Sequence, residues 1–275
     1  MAGTEKLSLI QPKDSPKMSR IYAALEEGWP GAKINSYEYD RFVLWGLIGN
    51  NMMYMMNPFI FCDMPYNGRY DPNNEDWDNT YWRWCYDGLH DNRQLDVPID
   101  RFEQWRRKVK PWKTDGEYIL ICPSSETMTM AMHSMSVDSW VEMVRKELSS
   151  YTKLPIRVRK KPRKNGTSGP SVADTPIEQD LEGARALVTS GSLTAVDALL
   201  EGVPVFTTKP EVCPTAWCSN TDFSKINNPM LFDREQLFAN LAYKQYSIEE
   251  MRNGTCHENS VRFLHNQIGK EKRPL

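Results

Sequence analysis

Residues 186–206 read ALVTSGSLTAVDALLEGVPVF, and the succession of strand, turn, helix and strand in them decides the fold. The run 186–190 is apolar and ends in serine, 191–202 carries apolar residues at helical spacing and stops at glycine, and 203–207 is a second apolar run. Two strands joined through a helix pair in parallel, because parallel neighbours need a crossover between them. The turn after the first strand then lies at the carboxyl edge of the sheet, where ligands bind in doubly wound domains. Gly191 opens that turn. The free N–H groups of the first helical turn, with the hydroxyls of Ser190, Ser192 and Thr194, suit a phosphate. Asp197, one turn into the helix, suits a ribose or sugar hydroxyl. Plain N-capping of an amphipathic helix by serine fits the same residues, and residue chemistry leaves the two readings level.

The pattern repeats on the N-terminal side. EYILICP (117–123) is an apolar run that stops at proline and serines, and VDSWVEMVRKELSSY (137–151) gathers Val137, Trp140, Val141, Val144 and Leu148 on one helix face. PIRVRKK (155–161) alternates apolar and basic residues, and a helix is expected around IEQDLEGA (177–184). The series is βαβαβαβ, the rhythm of a doubly wound α/β domain. Seven of the twelve residues 153–164 are basic. Arg157 and Arg159 share a strand face, and their forked donors suit a diphosphate leaving group, with Lys160 beside them. The same lysines and arginines, with RRKVKPWK (106–113), also fit a nucleic-acid backbone or a solvated basic loop.

Taken together, these elements resemble the donor-binding half of glycosyltransferases with the GT-B fold. In that family a strand, a small hydroxyl-rich turn, a helix reading roughly "EAL..G.PV" and another strand contact the nucleotide-sugar; here the place is filled by residues 197–205, DALLEGVPV, with aspartate for the commoner glutamate. ILICPSSE and IRVRKKP resemble the strands that precede this segment in capsule-type sugar transferases. DREQLFANLAYKQYSIEEMRNG (233–254) resembles the tail of phage-associated transferases. The resemblance covers roughly residues 115–255. It implies two Rossmann-like doubly wound domains (GT-B-like) with an interdomain cleft, an N-terminal acceptor-side domain over 1–112 and a nucleotide-sugar-binding domain over 113–275. It also implies a nucleotide-sugar donor, UDP-sugars first among them, and transfer to an acceptor hydroxyl.

The first part alternates too. SRIYAALEEGW (19–29) reads as a helix, FVLWGLI (42–48) as a buried strand, NNMMYMM (50–56) as a helix filling the core with methionine, and PFIFCDMPY (58–66) as a strand ending at Asp63. Inverting sugar transfer needs one base to take the acceptor's proton. Asp63 is the first candidate and His90 the second, with Tyr66, Arg69 and Arg83 nearby in sequence; a strand-end aspartate that caps its own loop is the plain alternative. Tyr81, Trp82, Trp84 and Tyr86 either stack on a sugar or flipped base or pack as an ordinary strand. Glu75, Asp76 and Asp78 resemble a metal-binding DxD, but a metal-independent reaction is expected.

A net charge of −2 and 40% hydrophobic residues describe an ordinary soluble chain with no global pull toward nucleic acid or membrane. Six cysteines without CxxC spacing predict reduced thiols in a cytoplasmic setting, host cytoplasm if the chain is phage-encoded; Cys213, Cys218 and His257 as zinc ligands are the lesser reading. The phage resemblance, the basic stretch and the aromatic loop favour a hydroxymethylated base in phage DNA as acceptor. A surface polysaccharide and a non-catalytic nucleotide-binding module are the alternatives.

Overall fold

The computed structural model describes residues 5–11, 16–47, 51–68, 78–113, 115–160 and 176–264. Arg69, Glu75, Asp76, Lys161, Arg163 and Lys164 lie outside them. The chain divides into two units, residues 1–105 with 238–275, and residues 106–237. The expected division at 112/113 gave everything beyond it to one domain; the C-terminal 38 residues, 238–275, instead belong with the first unit.

In the first unit the described elements are β1 (Leu7–Ile10), α1 (Pro16–Gly28), β2 (Ala32–Ile34), β3 (Arg41–Trp45), α2 (Asn51–Tyr54), β4 (Phe59–Asp63), β5 (Tyr81–Tyr86) and α3 (Asp100–Glu103). In the second they are β6 (Tyr118–Ile121), α4 (Glu126–His133), α5 (Val137–Leu148), β7 (Ile156–Val158), α6 (Ile177–Glu182), β8 (Ala184–Thr189), α7 (Thr194–Leu200), β9 (Val205–Thr207) and β10 (Ser219–Asn220). The chain returns to the first unit within α8 (Glu235–Ala242), and continues with β11 (Gln245–Ser247), α9 (Ile248–Arg252) and α10 (Thr255–Asn259).

The first sheet runs β11-β5-β4-β3-β1-β2. Its β1, β2, β3 and β4 are parallel, and β5 and β11 close one edge antiparallel. The sheet is therefore mixed at that edge, and its four parallel strands are consistent with the Rossmann-like unit expected. Met18, Ile21, Tyr22 and Leu25 recur at three- and four-residue spacing along α1, and all are buried against Leu7, Leu9, Val43, Ile60, Trp82 and Trp84. The alternating aromatics of β5 thus pack the core, with Trp82, Trp84 and Tyr86 buried on one face. The methionine reading is corrected: α2 is a single turn, only its Asn51 is buried, and Met52, Met53 and Met56 are exposed.

The second sheet is wholly parallel, in the order β10-β9-β8-β6-β7. Its hydrophobic layer joins Ile119, Ile121, Ala186, Val188 and Phe206 of the strands to Val137, Trp140, Val141, Val144 and Leu148 of α5, the face read from the sequence. Gly202 ends the α7 segment at φ +79°, and a Cβ there would stand 2.0 Å from the Pro111 carbonyl oxygen. The glycine of the "EAL..G.PV"-like stretch is thus required by a left-handed turn and by close backbone approach.

Candidate functional site

Counted along the chain, the strands of the second unit lie in the order 2-1-3-4-5, so the switch point falls between β6 and β8, where the connections leave in opposite directions. The two loops that meet there carry hydroxyls. Ser124 Oγ lies 3.4 Å from Ser190 Oγ, and Ser125 caps α4 by accepting from Met128 N. Ser190 and Gly191 are buried, and a Cβ on Gly191 would meet the Val212 carbonyl oxygen at 2.4 Å. Ser192, Leu193 and Thr194 are half-exposed. Ser192 N–H donates to Thr189 Oγ1 at 3.1 Å, while Ser192 Oγ accepts from Thr194 N at 3.3 Å and from Thr194 Oγ1 at 3.0 Å. The capping use of Ser192 is therefore present in the structure. It leaves the serine's own O–H as the group able to donate outward, because both of these side-chain bonds use its lone pairs.

Around this turn the charges are paired. Asp197 is buried, and its Oδ1 accepts from Arg107 Nη1 at 2.9 Å, so the carboxylate expected to face a ribose instead fixes the basic connector. One turn on, Glu201 holds Lys110 at 2.5 Å. Arg159 pairs with Asp180, and Lys160 with the exposed Asp138. Arg157 is exposed, with its guanidinium 3.7 Å from the centroid of the Tyr118 ring. Arg157 and Arg159 thus do not act as a matched pair: one stacks on a tyrosine and the other is neutralised. Burial pushes the Cys122 thiol up to about 12, against a hydrogen bond with Thr194 and the charge of Arg159, so this cysteine beside the turn stays a neutral thiol.

In the first unit Asp63 ends β4 at the carboxyl edge of the parallel strands. Its Oδ1 accepts from Met64 N at 2.8 Å, the loop-capping bond, and its Oδ2 lies 3.4 Å from Arg83 Nη2. The carboxylate side chain stays 33% exposed, whereas that of Arg83 is 4% exposed. Arg83 faces Asp63 across the β4–β5 pair, with its guanidinium over Phe61 and Tyr66, and its Nη1 lies 3.0 Å from His90 Nδ1 and 3.2 Å from Nε2. An imidazole nitrogen that accepts from a guanidinium carries no proton of its own. His90 is buried and turned on Arg83, which separates it from Asp63 in role as well as in exposure.

The loop that carries His90 is locked by charge. Asp91 accepts from Arg93 Nε at 2.9 Å and lies 3.7 Å from Lys244 Nζ, which also donates to the Asp91 and Arg93 carbonyls at 2.8 and 2.5 Å. Burial pushes the Asp91 carboxyl up, but Lys244 and Arg93 outweigh it and hold it at about 2. Burial also lowers the Lys244 ammonium below its ordinary value against the pull of Asp91.

Sequence reasoning missed Ser124, Ser125 and Arg107. The serines had a signal, since ILICPSSE places them directly after an apolar strand. Arg107 had none, because its partner Asp197 is 90 residues away. All six cysteines are free and buried. Among the described residues no group of three or more potential metal ligands lies together, and no helix is long and apolar enough to cross a membrane.

No family model and no curated protein matches the chain. Among solved structures it is similar to KpsC of Thermosulfurimonas dismutans, described as a beta Kdo 2,4 transferase, with a TM-score of 0.50, 13% identity, and 89% of this chain and 92% of that one covered. A second KpsC structure from the same organism, described as a beta Kdo 2,7 transferase, gives a TM-score of 0.47 at 12% identity over 92% of this chain and 100% of that one. What the first likeness shows is the fold alone: an α/β chain with two sheets built on parallel strands, similar along nearly its whole length to that Kdo transferase.

Proposed function

We propose that the chain moves a sugar from a nucleotide-activated donor to a hydroxyl of a saccharide acceptor, with the donor held by the second unit and the acceptor by the first. The observation that carries this reading is the hydroxyl-lined switch point, Ser124 and Ser190 at 3.4 Å with half-exposed Ser192 and Thr194 beside them. Rotatable O–H donors at a carboxyl edge suit the phosphates and sugar hydroxyls of a nucleotide-sugar. UDP-sugars head the candidate donors. The likeness in fold to a Kdo transferase supports a saccharide acceptor over a hydroxymethylated DNA base. The basic residues that favoured DNA lend it less support than their number suggests, since Arg107, Lys110, Arg159 and Lys160 each hold an acid of the same unit.

In this proposal Asp63, half-exposed and turned by its Met64 N–H bond, removes the acceptor proton as the acceptor oxygen forms its bond to the sugar carbon. The bond from that carbon to the donor phosphate breaks, and the leaving phosphate gathers charge against the hydroxyls of Ser192 and Thr194 and the guanidinium of Arg157. These groups serve without a metal ion, so a chelator is expected to leave the rate unchanged. The test is a panel of nucleotide-sugars screened for thermal stabilisation, followed by mass spectrometry of saccharide products with the best donor. Asp63→Asn is expected to abolish transfer while donor affinity stays within about twofold, as fits loss of a base and not of a binding group. Stabilisation with no product on any acceptor would replace the enzyme reading with a nucleotide-binding module. No stabilisation by any donor would remove both.

A further inference from the structure

The guanidinium of Arg83 has one edge that the described residues do not fill. Of the groups on that side chain, Nη1 meets His90 and Nη2 has a single long contact of 3.4 Å to Asp63. Nε is buried and has no hydrogen-bond partner among the described residues. By covalent geometry the Nε–H and one Nη2–H point the same way, forming the fork that grips a carboxylate or phosphate through two parallel bonds. A buried donor left unmet costs stability, and so does a buried cation whose counter-ion is loose. Phe61 and Tyr66 flank the guanidinium and His90 holds its far side, so it cannot easily turn its fork to water. Asp63, which meets the fork at Nη2, is 33% exposed against 4% for Arg83.

We propose that the Nε–Nη2 edge of Arg83 is an oxyanion site of the first unit, which takes a carboxylate or phosphate carried by a saccharide and displaces Asp63 from the guanidinium. Displacement leaves Asp63 held by Met64 N–H alone, with both oxygens otherwise open. Filling the site thereby releases the carboxylate assigned above as base, and this link to catalysis rests on the transferase reading. The anion site itself does not. His90 is the positioning residue, fixing the guanidinium so that its fork faces Asp63 and not the sheet.

The experiment follows arginine Nε–H resonances of the 15N-labelled full chain during titration with glucuronate, glucose 6-phosphate and glucose. These probes differ in one group, so the first two separate carboxylate from phosphate and the third is the neutral control. The Arg83 Nε–H signal, identified by its loss in Arg83→Lys, is expected to move downfield and saturate with at least one anionic probe, and not with glucose. Arg83→Lys keeps the charge but loses the fork, and is expected to weaken that binding at least about tenfold. Asp63→Asn removes a competing negative charge and is expected to tighten it about threefold or more. Should Arg83→Lys not fold, the wild-type Arg83 Nε–H signal is identified instead by its through-space contacts to the Phe61 and Tyr66 rings, so the titration stands without the variant. An Arg83 signal that ignores both anions, or moves equally with glucose, overturns the site, as does weaker binding in Asp63→Asn. Anion binding in a chain that transfers no sugar would leave the site standing and remove only the transferase; transfer to neutral acceptors with an unmoved Arg83 signal would do the reverse.

Discussion

In the second unit the carboxyl edge is made of neutral hydroxyls on two short turns, Ser124 and Ser190 buried and Ser192 and Thr194 half-exposed. In the first unit, built on a like arrangement of parallel strands, the polar layer is buried charge: Arg83 against Asp63 and His90, and Asp91 between Arg93 and Lys244. Hydroxyls are cheap to bury and each contributes little, because either partner can turn to another. Charges taken out of water are costly and are held only by their counter-charges. The first unit is therefore stiff and brittle at its polar layer, and the second tolerant. A stiff layer suits a group that must be aimed at one atom. A tolerant layer suits a donor with many oxygens.

The sharpest way to break this contrast is Asp91→Asn. It keeps the shape and leaves Lys244, fully buried, without its carboxylate. The expected loss is about 3–5 kcal/mol in a denaturant titration; a loss below 1 kcal/mol would mean that the carbonyls of Asp91 and Arg93 alone satisfy the ammonium. The same pair sets an acid limb. The Asp91 carboxyl titrates at about 2 in the folded chain, against about 3.9 unfolded. Its stabilisation is complete above about pH 5 and is lost as pH falls from there through about 2, in all about 2–3 kcal/mol. Asp91→Asn should flatten that part of the pH–stability curve, and a curve of unchanged shape would move the acid sensitivity to another carboxylate.

In the second unit the comparable weak point is backbone. Gly202→Ala puts a Cβ at φ +79° and 2.0 Å from the Pro111 oxygen, and is expected to cost about 2 kcal/mol or more. Thermal unfolding would read it, and an unchanged midpoint would show that the 110–111 segment yields.

How much of this was legible follows from the range over which each interaction acts. The strands and helices of 117–207 announce themselves by periodicity, and every strand proposed there, together with the buried face of α5, is present. Asp63 at the end of a strand was equally readable, because a buried run that meets an acidic residue marks its own edge. Missing from the sequence reading was whatever depends on distant partners. The return of 238–275 to the first unit and the antiparallel pairing of β11 with β5 join positions more than 150 residues apart, and no local pattern records them. Asp197 looked like a ligand because its partner Arg107 was invisible from its own neighbourhood. The exposed methionines of α2 misled for a related reason: an apolar run does not say on which side of the sheet the core lies.

The smallest expected effect is the one that separates the two polar layers most cleanly. Ser192→Ala removes an O–H donor and the acceptor of two local bonds, from Thr194 N and Thr194 Oγ1. Thr194 is half-exposed, so water replaces the lost partner and stability changes by less than about 0.5 kcal/mol. A bound phosphate or sugar hydroxyl has no such substitute. Losing one hydrogen bond there should weaken donor binding about three- to tenfold, the equivalent of about 0.5–1.5 kcal/mol. Thr194→Ala is expected to fall in the same range, and the double variant to fall short of the product, since the two hydroxyls are bonded to each other at 3.0 Å. Calorimetry with the best donor, set beside the thermal midpoint of the free protein, reads both quantities at once. A drop in stability without a drop in affinity would make Ser192 a cap and nothing more, and would leave the switch point of the second unit without a function for its hydroxyls.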